Sequence, residues 1–258
     1  MLRSTDSTIF LYDGTFEGLL TVVFESFYRK LVPLRITPEE EFQESLFDSP
    51  EYIATDPAKA NRVYAGIKSK ADAKTAHLLY RCFLSETADV EKLIFDFTKQ
   101  LFSASENPLA NYADPTVRRL HELNNMMGRE IHRMHAFVRF QRTADDLYFA
   151  IVEPDFNVLP LIGDHFEDRY ADQRWIIYDG KRRFGIHYDL HRVEYITFAE
   201  ANHLQFRKLN DDILNHQETD YQQLWKSYFD AVNISERKNT KLHLQHVPKR
   251  YWKYLTEK

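Results

Sequence analysis

DPTVRRLHELNNMMGREIHRMHAFVRFQR, residues 114–142, decides the reading of the fold. Asp114 suits the cap of a helix, where a carboxylate accepts the free N–H groups. Pro115 suits the first turn, where its missing N–H costs nothing. Val117, Leu120, Leu123, Met127, Ile131, Met134 and Val138 then recur every three or four residues, the spacing of one buried helical stripe. Arg118, Asn125, Arg129, His132 and Arg133 fall on another side and give the helix a basic rim. At 134–136 the period changes to alternation, with Phe137, Arg139 and Gln141 facing one way and Val138, Phe140 and Arg142 the other. The stretch therefore carries the chain from a helical region into a sheet.

Working outward to the N-terminus, Ile9-Phe10-Leu11-Tyr12 reads as a short strand closed by the turn pair Asp13-Gly14. Thr15 caps the next helix, whose apolar face is Phe16, Leu19, Leu20, Val23, Phe24 and Phe27. Residues 37–58 are acidic and broken by Pro38, Pro50 and Pro57, which predicts a surface excursion with little regular structure. Residues 62–67 read as a second short strand, and helices are expected near 71–85 and 87–104. Toward the C-terminus, strands at 136–142 and 147–153 flank a turn at 143–146, and a short helix is expected over 160–170. Strands at 174–178 and 183–188 enclose Asp179-Gly180-Lys181, and Asp-Gly between alternating strands is a strong hairpin signal. A strand at 193–198 and helices near 199–214 and 219–231 complete the chain before the tail HVPKRYWKYL.

This order predicts an α+β fold, an antiparallel sheet of about five strands packed against several helices. We read residues 1–258 as a single domain: a helical N-terminal region (1–135), a sheet-rich region (136–198) and a helical, basic C-terminal region (199–258). With 19 Phe, 15 Tyr and 3 Trp, the chain can fill a sizeable core. Only 7 Gly argues against a glycine-rich nucleotide-binding fold. Cys82 is the single cysteine, so this chain alone holds no disulfide, cysteine-ligated zinc or iron–sulfur cluster. That usage suits a reducing cytoplasm, and no membrane span or signal peptide is read.

The net charge of -5 is unevenly spread: residues 1–61 carry 11 acidic and five basic side chains, whereas 237–258 carry seven basic side chains and one acid. Local fields outweigh the total when a polyanion binds. In the C-terminal run Lys241, Lys249, Arg250 and Lys253 are interleaved with Tyr251, Trp252 and Tyr254. Cations meet phosphates and aromatic faces stack on unpaired bases. The bland reading of the same run is that Tyr251, Trp252 and Leu255 dock the tail while the cations stay in water. Histidines come in pairs, His132/His135, His187/His191 and His243/His246, without a third and fourth ligand, so no metal is expected; His132, His135 and His165 are the side chains to test otherwise. Asp155, Asp164 and His165 are the candidates for acid–base work beside a sheet edge, weighed against capping and surface ion pairs.

Four blocks of sequence carry a family resemblance: Tyr12-Asp13-Gly14-Thr15-Phe16-Glu17-Gly18-Leu19-Leu20; His132-Arg133-Met134-His135-Ala136-Phe137-Val138-Arg139-Phe140; Pro160-Leu161-Ile162-Gly163-Asp164-His165-Phe166 with Trp175-Ile176-Ile177-Tyr178-Asp179; and Pro248-Lys249-Arg250-Tyr251-Trp252. Together they resemble an uncharacterised bacterial family described as DNA repair or DNA metabolism proteins, which carries a domain of unknown function. The resemblance implies a neighbouring radical-SAM protein similar to spore photoproduct lyase, and in some members a fused uracil-DNA-glycosylase-type domain. It assigns no catalytic residues. The expectation is an accessory protein that binds damaged or single-stranded DNA and acts with the radical-SAM partner, which must supply its own thiolates. The alternatives are a DNA-processing enzyme using Asp155, Asp164 and His165, and an interaction module without DNA contact. The expected DNA-binding side chains are Arg118, Arg129, Arg133, Lys241, Lys249, Arg250, Trp252 and Lys253; no cofactor is expected in this chain.

Overall fold

The computed structural model describes residues 3–4, 8–43, 49–197 and 249–255. The chain divides into two compact units, Met1–Met127 and Gly128–Lys258. The first unit contains β1 (Arg3–Ser4), β2 (Thr8–Tyr12), α1 (Phe16–Arg29), β3 (Leu31–Val32), β4 (Arg35–Pro38), β5 (Ser49–Tyr52), α2 (Pro57–Lys70), α3 (Ala73–Phe83) and α4 (Val90–Ser103). The strand expected at 9–12 is the centre of a three-stranded parallel sheet, order β4-β2-β5, and β1 pairs in parallel with β3.

The start of α1 follows from its cap. The Thr15 hydroxyl accepts the Gly18 N–H at 2.9 Å and itself donates to Asp13 Oδ1 at 2.7 Å. Gly18 is required there, because an added Cβ would lie 2.2 Å from Asp13 Oδ1 and 2.8 Å from Thr55 Oγ1. Lys30 ends the helix in the left-handed region, at φ 58°.

Two expectations fail in this unit. Residues 62–67 are not a strand but the interior of α2. Asp56 accepts the N–H groups of Ala58 and Lys59, Pro57 opens the first turn, and Ala60, Val63 and Ile67 bury one helical face. Residues 37–58 also carry more regular structure than expected: β4 ends within them and β5 lies wholly inside them. Pro50 is tolerated because β5 is an edge strand, where one ladder N–H can be spared. Phe10 and Tyr12 of β2 pack with Leu19, Ile67, Leu79, Ile94 and Phe97 from the four helices, and Leu120 joins the same core.

α5 (Pro115–Phe137) spans the boundary between the units. Asp114 caps it, accepting the N–H groups of Thr116 at 2.7 Å and Val117 at 3.2 Å. Val117, Leu120, Leu123, Met127 and Met134 are buried as the stripe predicts, whereas Ile131 and Val138 are only half-buried. The helix continues through 134–136, so the strand expected from 136 shrinks to β6 (Gln141–Arg142).

The second unit continues with β7 (Tyr148–Val152), α6 (Gly163–Arg169), β8 (Trp175–Asp179), β9 (Phe184–Tyr188) and β10 (Val193–Thr197). They form one five-stranded sheet, order β10-β9-β8-β7-β6, mostly antiparallel and packed against helices. One pair departs from the expected antiparallel order: β7 and β8 run parallel, with Phe149 opposite Ile176 and Ile151 opposite Tyr178. The segment carrying α6 is the crossover that parallel neighbours need. The Asp179-Gly180 hairpin does form between β8 and β9. Its left-handed residue is Arg183, at φ 60°, not Gly180, and the Arg183 N–H closes the loop on Asp179 O at 2.8 Å. The strand expected at 193–198 is β10; Phe198 and the helices expected at 199–214 and 219–231 lie outside the described residues.

Candidate functional site

Glu130 sits on α5 between Met127 and Met134 and is 1% exposed. A carboxylate so enclosed is costly unless hydrogen bonds satisfy it. Glu130 has them: its Oε1 accepts the Asp155 backbone N–H at 2.8 Å and the Tyr251 hydroxyl, and its Oε2 meets Arg133 Nη1 at 3.0 Å. Tyr251 belongs to a 3₁₀ turn, Lys249–Tyr254, near the end of the chain. Tyr251 and Leu255 are buried, Trp252 is half-buried and Lys253 is exposed. Lys253 Nζ pairs with Glu153 Oε2 at 2.6 Å and stands 4.7 Å from the Tyr254 ring centroid. Of the three side chains that the bland reading has docking the tail, Tyr251 and Leu255 are buried and Trp252 is half-buried.

A second buried acid, Asp179, helps to hold the chain at Pro154–Asp155, where Glu130 receives the Asp155 N–H. Asp179 is fully buried and accepts the backbone N–H groups of Lys181 at 2.9 Å and Arg182 at 3.1 Å. Arg182 Nη1 reaches Asp179 Oδ2 at 2.9 Å and the Pro154 carbonyl at 3.1 Å, and Nη2 reaches the Asp155 carbonyl at 3.0 Å. Burial pushes the Asp179 carboxyl above its usual range, and Arg182 opposes the shift. Asp155 is thus clamped by its N–H to Glu130 and by its C=O to Arg182, while its own side chain is exposed.

The third feature is a pair of stacked imidazoles. The rings of His135 and His165 lie 3.8 Å apart at 16°, and Phe166 sets its edge against both. Phe140, Tyr170, Trp175 and Tyr188 extend this aromatic group. Among the described residues, His135 Nε2 is closed off without a hydrogen-bond partner. Burial first, and then the neighbouring His165 and His132, hold its pKa down at about 4, so the ring is neutral at ordinary pH.

Of the expected acid–base residues, Asp155 lies at the Glu130 turn, His165 stacks on His135, and Asp164 is exposed on the first turn of α6. Of the expected cations, Arg118 and Arg129 are exposed on α5, Arg133 is paired with Glu130, and Lys253 is paired with Glu153. Lys241 lies outside the described residues, as do His243 and His246, and only the backbone of Lys249 and Arg250 is described. Among the described residues, no group of three or more His, Cys, Asp or Glu side chains stands ready to hold a metal ion. No helix among them is long and apolar enough to cross a membrane.

Sequence reasoning missed Glu130, Asp179 and Arg182. The signal for Glu130 was present: an acid three residues after Met127 and four before Met134 lies on the buried stripe.

A family model described as a domain of unknown function, DUF4130, matches residues 88–257, well over half of the chain. The chain belongs to this family. No curated protein matches it. The DUF4130 stretch opens just before α4 and takes in Glu130, His135, His165, Asp179 and Tyr251; the strands β1 to β5 and the helices α1 to α3 precede it.

Proposed function

We propose that this chain binds nucleic acid, damaged or single-stranded DNA, through the Arg129–Arg133 turn of α5 and the Lys249–Tyr254 turn. In this reading it is an accessory factor of DNA repair or metabolism, and a radical-SAM partner supplies the bond-breaking chemistry. One observation carries the reading: the Tyr251 hydroxyl on Glu130 seats the basic, aromatic C-terminal turn against the helical turn that bears Arg129 and Arg133. Arg129 and His132 are exposed there, Lys253 is exposed beside Tyr254, and Trp252 keeps some of its surface in solvent. Surface cations meet phosphates, and a half-buried indole can offer a stacking face to an unpaired base. The resemblance to DNA repair and metabolism proteins points the same way, and the buried, single Cys82 leaves cluster chemistry to the partner.

Titration of the full chain with fluorescent single-stranded and duplex oligonucleotides over a salt series tests this reading. Affinity should fall steeply with salt, and Arg129→Ala should reduce the salt slope by about one unit. Absence of binding to either oligonucleotide at low salt would refute it. A pull-down with the radical-SAM partner, with and without damaged DNA, tests the accessory role.

A further inference from the structure

The first unit contains an open recess of about 430 Å³ on one face of α3, lined also by Asn124 of α5. Its wall carries Lys74, His77 and Arg81, which recur at three- and four-residue spacing and so share one side of that helix. Among the described residues, the Arg81 guanidinium has one acceptor, the Asn124 backbone oxygen at 3.3 Å, and its Nε is closed to solvent with no hydrogen-bond partner. No carboxylate among the described residues pairs with it. Asp72, the cap of α3, interacts with Lys74 and accepts the Thr75 N–H on its Oδ1 at 2.6 Å. A half-buried guanidinium with no carboxylate beside it among the described residues carries an unbalanced charge that an anionic ligand can match.

We propose that this recess is a phosphate-binding site, in which the planar Arg81 guanidinium receives the oxyanion, Lys74 adds charge and His77 adds a hydrogen bond at its mouth. Arginine is suited to this because its planar fork matches phosphate geometry in pairs of parallel bonds, whereas the lysine acts as a point charge. The anion is the phosphoryl group of a free phosphate compound or of a nucleic-acid backbone; the two share this chemistry. The site precedes the DUF4130 stretch except for Asn124, and it stands independently of the surface around Glu130.

The test uses the full chain with pyrophosphate in one arm and a short single-stranded oligonucleotide in the other, binding being read by calorimetry and by the shift in Tm. Arg81→Met keeps the aliphatic bulk and removes the charge. It should weaken pyrophosphate binding about tenfold or more, the scale of one lost charge-assisted hydrogen bond, and abolish the Tm rise that the ligand gives the parent. Without ligand its Tm should equal or exceed the parent's, because an unpaired charge has been removed; a merely structural arginine would instead lower it. The exposed pair Lys74→Ala with His77→Ala covers the case in which Arg81→Met folds poorly, and should weaken binding severalfold. Arg129→Ala should bind pyrophosphate as the parent does, which separates this site from the proposed nucleic-acid surface. Pyrophosphate binding lost in Arg81→Met indicates a free phosphate compound; loss confined to the oligonucleotide arm indicates a nucleic-acid backbone. If both arms are unchanged in Arg81→Met and in the double variant, or if the parent binds neither probe, the proposal is wrong.

Discussion

The Tyr251 hydroxyl donates to the Glu130 carboxylate, 121 residues earlier in the chain. Both side chains are nearly closed to solvent, at 2% and 1% exposure, so this bond is made away from water. Tyr251→Phe removes the donor and leaves a buried acid short of one bond. The expected cost is about 1–3 kcal/mol, read as a lower midpoint in urea denaturation. An unchanged midpoint would mean that water replaces the hydroxyl and that the seat of the C-terminal turn lies elsewhere.

Leu120 is fully buried in the core of the first unit. Leu120→Ala should cost about 2–5 kcal/mol, the range for deleting a buried leucine side chain. A melting curve identical to the parent's would contradict the burial of this face of α5.

His135 gives a pH signature with a definite sign. Its ordinary pKa is 6.5 and the folded environment holds it at about 4. As the pH falls below 6.5, the unfolded chain takes up the proton first, so stability present above that value is lost progressively toward pH 4. His135→Phe should flatten this stretch of the stability–pH curve while the loss due to carboxylates remains. Superimposable curves between pH 6.5 and 4 would show that the stacked pair contributes nothing to it.

Cys82 is fully buried, and burial pushes its thiol up to about 12. Reaction needs the thiolate. A thiol reagent should therefore label the native protein very slowly at neutral pH and promptly in denaturant; rapid native labelling would place Cys82 at the surface.

Trp252 keeps some of its ring exposed beside Tyr251. If it stacks on an unpaired base as proposed, Trp252→Ala should weaken single-strand binding by about 1–3 kcal/mol and duplex binding by less. Equal losses on both would remove the stacking role.

Local signals determined most of the element types. Asp114 and Pro115 fix the start of α5, Thr15 fixes the start of α1, and Asp179-Gly180 announces the hairpin of β8 and β9, because caps and turns are settled by neighbours a few residues away. The sequence by itself also determined the mostly antiparallel five-stranded sheet packed against helices. Tertiary structure decided what depends on distant partners. Residues 62–67 suit a strand or a helix locally, and the core behind Val63 and Ile67 selects the helix. The parallel pairing of β7 with β8 rests on a crossover, not on the strands' own alternation. The same holds for the candidate site. His135 and His165, Asp179 and Arg182 with the Asp155 turn, and Glu130 with Tyr251 are brought together by the packing of the second unit, since a side chain's period names its face but not the group that face will meet.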